Sequence, residues 1–175
     1  MILRHLRAMA LPPTLAAAFL FSPQVSAQDT TVPAADPDRG RVVYQRVGYC
    51  VTCHGWAADG KSGLSMHTPI GANLRESELD TEGLTQVIRC GIPGTKMPYH
   101  DSAAYRDGKC YGQVMADFEP GTEPVRGKTF RDKQLADLVV YFQAHVIGRG
   151  APTYDECADY FGTSADKACA YLKTN

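Results

Sequence analysis

Cys50-Val51-Thr52-Cys53-His54 brings two thiols and an imidazole together within five residues. CxxCH is the spacing at which two cysteines add to the two vinyl groups of one haem. The intervening pair lets both sulfurs reach the same porphyrin edge, and the next residue carries an imidazole below the ring as proximal iron ligand. A redox dithiol would call for βαβ surroundings, which the chain does not show. A zinc site would call for a second ligand pair at short spacing, and Cys90 and Cys110 are too far apart to supply one. The expectation is one covalent haem c on Cys50 and Cys53, with His54 on the iron.

The other side of the iron needs a ligand from elsewhere. Met97 lies 43 residues after His54 in a Gly/Pro-rich run that follows a helical segment. That setting suits a rigid loop holding a thioether, although a single methionine is more often filling in a core. Met66, His67, His100 and His145 compete. Met66 and His67 sit in the polar loop after the motif, His145 reads as a helix-face residue, and His100 is close enough to Met97 to be a rival. With His54 and Met97 both bound, no position is open to oxygen, peroxide or substrate, and the soft thioether favours ferrous iron. No nucleophile–base pair is visible, so a carrier rather than an enzyme is expected. If the distal ligand is absent, the alternatives are a haem-based sensor or gas-binding protein, or a weak peroxidase with His100 as its acid–base group.

The start of the chain addresses the compartment. Arg4, His5 and Arg7 precede an apolar run over Leu15–Phe21, and Val25-Ser26-Ala27 is a small-x-small cleavage pattern. Residues 1–27 therefore read as a secretory signal peptide, and the protein is expected in the periplasm. Cleavage removes Arg4 and Arg7 and leaves 148 residues with 16 basic against 19 acidic groups, a formal net charge of −3. That balance argues against a nucleic-acid partner.

Three helices and little strand signal are legible. After a leader at 28–37, the first helix starts at Asp36-Pro37, a cap followed by proline at the first helical position. It carries Val43 and Val47 into the motif. A second spans about Thr81–Cys90, stopped by Gly91. The third spans about Phe130–Ile147, with Leu135, Leu138, Val139, Phe142 and Val146 at helical spacing and Gly148 at its C′ position. Four further cysteines in an oxidising compartment suggest disulfides, with three connectivities open and free buried thiols as the other possibility. Thr153-Tyr154-Asp155-Glu156 is a capping box, and Ser164 could cap a second short helix. Two short helices about Gly162 would bring Cys157 to Cys169, leaving Cys90 for Cys110.

Residues from about Asp38 to Gly148 resemble a class I cytochrome c. Gly40 and Tyr44 match the small-plus-aromatic pair of that family's first helix, Cys50, Cys53 and His54 its haem motif, Gly94–Pro98 its distal methionine loop, and Leu138–Phe142 its last helix. The resemblance implies an all-α fold of three main helices around one haem, with the last helix crossing the first at the glycine. It implies Met97 as the distal ligand, and a proline carbonyl, here that of Pro69, accepting the proximal histidine's N–H. The organisation expected is a cytochrome domain over 38–148, interrupted by an insertion at 99–128, and a disulfide-stapled extension over 149–175. In the insertion, Tyr99, Tyr105, Tyr111 and Phe118 suit either a recognition surface or a plain loop held by a disulfide.

The run Cys90–Asp101 and the cysteine-bearing tail are similar to a subgroup of proteobacterial cytochromes that serve periplasmic dehydrogenases. That similarity implies a monomer taking electrons from a quinoprotein, flavin or molybdenum enzyme and passing them toward a terminal oxidase or another cytochrome. Lys61, Lys96 and Lys109 are the expected local steering charges.

Overall fold

The computed structural model describes residues 34–62 and 69–173. The expected signal peptide, most of the leader, and the rival ligands Met66 and His67 lie outside the described residues. Among the described residues the protein is helical without strands, carrying only isolated bridges at Tyr99–Arg126 and Cys110–Gln113. No described helix is long and apolar enough to cross a membrane.

Helix α1 (Pro37–Val42) begins as its sequence dictates. The Asp36 carboxylate accepts the Arg39 N–H and Pro37 occupies the first turn, where its missing N–H costs nothing. The chain then widens into a π-helical turn over Val43–Val47 instead of running straight into the motif. The Gly48 N–H reaches back to the Val43 carbonyl at 2.8 Å and the Cys50 N–H to the Tyr44 carbonyl at 3.0 Å. Only glycine fits where this turn ends: a Cβ on Gly48 would stand 2.7 Å from the Phe130 ring and 3.0 Å from the Cys50 sulfur. Helix α2 (Val51–His54) follows and holds the motif.

Helix α3 (Thr81–Cys90) is capped by the Asp80 carboxylate and ended by Gly91 at φ 62°. Helix α4 (Asp132–His145) is shorter than its periodicity suggests. Phe130 is buried ahead of it, and the Gly148 N–H leaves the helix to bond the Arg75 carbonyl at 2.8 Å. Gly148 therefore ties the end of α4 to another segment and does not close the helix on itself.

Helices α1 and α4 cross at Gly40. A Cβ there would lie 2.0 Å from the Asp137 carbonyl oxygen and 2.6 Å from the Tyr141 Cβ, so only glycine permits the approach. Around this crossing Val43, Tyr44, Leu84, Ile88, Leu135, Leu138, Val139, Phe142 and Val146 form the main core. The buried Asp137 carboxylate accepts from the Arg39 Nε at 2.9 Å and the Asp36 N–H at 2.8 Å, fixing the start of α1 on α4.

The extension folds as α5 (Tyr154–Phe161) and α6 (Ala165–Ala168). Thr153 and Glu156 exchange the two bonds of a capping box; Ser164 precedes α6 without a side-chain cap. Gly162 turns the chain at φ 55°, and the structure joins Cys157 to Cys169 with Cα atoms 5.8 Å apart. Cys90 is joined to Cys110 with Cα atoms 5.4 Å apart.

Within the insertion, Tyr105 is buried and donates to the Cys90 carbonyl at 2.6 Å, while its ring meets Tyr99 and Phe118 edge-on. Most of the insertion's aromatic character thus packs inward around the disulfide. Tyr111 is the exposed member of the group.

Candidate functional site

Helix α2 and its N-cap residue Cys50 bring Cys50, Cys53 and His54 to one cavity of about 490 Å³. Leu84, Ile88, Leu138 and Phe142 supply apolar wall, and the Met97 loop stands on the rim. The floor is positioned from behind by Tyr44, fully buried, whose hydroxyl donates to the Gly55 carbonyl at 2.7 Å. Burial raises the Tyr44 pKa, so the phenol remains a donor. Cys50 and Cys53 are both free of disulfides. Burial pushes the Cys50 thiol up to about 12, the opposite of the lowered value that a nucleophilic or exchange-active cysteine needs.

The His54 Nδ1–H donates to a backbone carbonyl at 2.9 Å, and that carbonyl belongs to Ala72. The expectation for Pro69 is corrected here. Pro69 lines the cavity, but the chain closes on the histidine further along. Gly71 donates its N–H to the Cys53 carbonyl at 2.8 Å, and a Cβ on Gly71 would stand 2.6 Å from the His54 Nδ1. The absent side chain lets the backbone lie against the ring, so the next carbonyl meets Nδ1. Burial pulls the His54 pKa below its ordinary value, partly opposed by the Ala72 bond. The imidazole is therefore neutral with Nε2 unprotonated, the form that binds a metal.

Met97 is held by its own loop. Its N–H donates to the Thr95 hydroxyl at 3.1 Å, its carbonyl accepts the Ile92 N–H at 3.2 Å, and the Thr95 hydroxyl donates to the Ile92 carbonyl at 2.8 Å. Gly91 is required beneath it, since a Cβ there would meet the Met97 carbonyl oxygen at 2.7 Å.

His100 also reaches the cavity wall. Its ring is stacked on Phe130 at 4.2 Å, and its Nδ1–H donates to the Lys128 carbonyl at 2.6 Å. His145 is exposed on α4, with its ring beside Tyr141.

The donor set fits a covalently held haem. Two free thiols stand at motif spacing, a neutral imidazole has one nitrogen committed and one available, and a thioether shares an apolar cavity with them. Sequence reasoning missed two residues behind this site, Arg75 and Glu156. The Arg75 guanidinium is buried and pairs with both Glu156 oxygens at 3.0 and 3.1 Å. It also donates to the Ala57 carbonyl at 3.2 Å.

Residues 35–116 match the family model described as cytochrome c oxidase, cbb3-type, subunit III. The match takes in α1, the motif, α3 and the methionine loop, and stops before α4. Searches of curated proteins and of solved structures found no match.

Proposed function

We propose that this chain, a monohaem c-type cytochrome with a covalently bound haem c, is an exported electron carrier that moves single electrons from a periplasmic dehydrogenase toward a terminal oxidase. The observation that carries the reading is the meeting of Cys50, Cys53, His54 and Met97 on one apolar cavity, with Nδ1 of the histidine already bonded. When bound, the haem supplies a ferric/ferrous one-electron couple. Cys50 and Cys53 would hold the group covalently, the His54 Nε2 would bind its iron, and Met97 would supply a second iron ligand. Leu84, Ile88, Leu138 and Phe142 give the cavity an apolar lining, the kind of shell that limits solvent access to a redox centre. His100, pinned between Phe130 and the Lys128 carbonyl, is less free than Met97 to swing onto a metal.

The matched family is described as a subunit of a cytochrome c oxidase, which supports an oxidase as the destination. The signal-like residues 1–27 support export to the periplasm. A quinoprotein, flavin or molybdenum dehydrogenase as donor rests on the sequence resemblance alone. The docking face is the cavity mouth, where Tyr49 is 65 % exposed and Ile92 43 %. Lys96 lies at that mouth, whereas Lys61 and Lys109 each stand near an aspartate, Asp59 and Asp107. Steering is therefore weak and local, and a monomer with a transient interface meets the need for rapid release.

The test is to purify the exported protein and mix it with periplasmic dehydrogenase fractions and their substrates, then with respiring membranes. Substrate-dependent reduction followed by cyanide-sensitive reoxidation is expected. Substrate turnover or rapid oxygen reduction by the isolated protein would refute the carrier reading in favour of an enzyme.

A further inference from the structure

Arg75 occupies an unusual place for a charge. Its side chain is 4 % exposed, and burial of a guanidinium is costly unless its donors are matched. They are matched by three segments. Nη1 donates to the Ala57 carbonyl at 3.2 Å, three residues past His54. Nε and Nη2 donate to the carbonyls of Gly150 and Arg149 beyond α4. Nη2 also meets both carboxylate oxygens of Glu156, on α5. The backbone of Arg75 takes part as well, its carbonyl accepting the Gly148 N–H at 2.8 Å.

This anchor sits at the end of the segment that reaches His54. Gly71 bonds the Cys53 carbonyl and Leu74 the Ala58 carbonyl, each at 2.8 Å, and between them Ala72 accepts from the His54 Nδ1. Residues 71–75 thus run alongside residues 53–58, and the guanidinium bolts the two together at one end. Attachment of the extension alone would not require this, because Trp56 already packs against the Cys157–Cys169 cluster.

We propose that Arg75, held by Glu156 of the C-terminal extension, is a positioning residue that keeps the Ala72 carbonyl on the His54 Nδ1–H and so sets the electron-donating strength of that imidazole. The inference rests on His54 being the proximal ligand. A bond to the outer nitrogen makes a metal-bound imidazole more basic. Loosening it weakens the support given to ferric iron, so the reduction potential rises. The extension is then a working part of the redox site.

The experiment compares wild type with Arg75→Lys, Glu156→Gln and the control Asp166→Asn, which breaks an exposed ion pair with Lys173 on the same extension. Two quantities are read on ferrous protein and by redox titration: hydrogen exchange of the His54 Nδ1–H by NMR, and the reduction potential. Arg75→Lys keeps the charge but loses the fork. Exchange at least tenfold faster and a raised potential are expected in both Arg75→Lys and Glu156→Gln, with the control at wild-type values.

Wild-type exchange in Arg75→Lys would overturn the proposal, even if the variant unfolds at a lower temperature. A potential shift in Glu156→Gln with unchanged exchange would also overturn it, as a field effect of the lost charge. If Arg75→Lys fails to accumulate, Glu156→Gln decides by the same two readouts. A wild-type protein without low-spin haem would instead bring down the carrier reading, and this inference with it.

Discussion

At His54 the ring has one nitrogen committed to the Ala72 carbonyl and one left for a metal, and this division follows from a backbone path. The motif itself is contiguous and so was fully legible in the sequence. Which carbonyl meets Nδ1 was not, because it depends on where a later loop comes closest, and Gly71 moves that point from Pro69 to Ala72. Gly71→Ala should therefore act at a distance of one residue, since its Cβ would stand 2.6 Å from Nδ1. The expected result is a lower haem-to-protein absorbance ratio in exported protein at equal expression, and an unchanged ratio would contradict the close approach. Met97→Ala should abolish the ferric far-red band of methionine–iron bonding and let carbon monoxide bind the ferrous protein. Persistence of the band would assign the ligand to another methionine.

Helix boundaries set by local chemistry were readable: the Asp36-Pro37 start, the Gly91 stop and the Thr153–Glu156 box each involve neighbours in sequence. The π-helical turn and the late start of α4 were not legible; Gly48 lies so close to Phe130 that a Cβ there would stand 2.7 Å from the ring, and such a long-range approach leaves no local signal. The α1–α4 crossing is the tightest contact in the core. Gly40→Ala should cost about 2–3 kcal/mol by overpacking, read as a shift in the urea midpoint. Asp137 gives the same crossing a pH dependence. Burial alone would raise its carboxyl, but Arg39, the Asp36 N–H and Lys133 together hold it below the ordinary value. A group depressed on folding contributes stability at neutral pH, which is lost as pH falls below about 4. Asp137→Asn should thus flatten the acid side of the stability profile, and a profile as steep as wild type would rule Asp137 out as its source.

For the whole molecule, the two short helices about Gly162 and the Cys157–Cys169 staple of the extension were visible in the order of caps and cysteines. The link from this extension to the segment beside His54 was hidden, because Arg75 and Glu156 are 81 residues apart and the capping box that contains Glu156 says nothing of a distant partner. Replacing Cys157 and Cys169 together by serine should lower stability by roughly 3 kcal/mol in the chain-entropy account of disulfides, checked by thermal unfolding of both forms without reductant. No loss would mean that the Trp56 cluster and the Arg75 anchor suffice to hold the extension.

The central claim, a one-electron carrier with a closed iron, is met most directly by redox titration of the purified exported protein, with and without carbon monoxide. The account predicts a single Nernst curve of about 59 mV per decade, the same under both atmospheres. A midpoint displaced upward by carbon monoxide would mean an open coordination position and would contradict it.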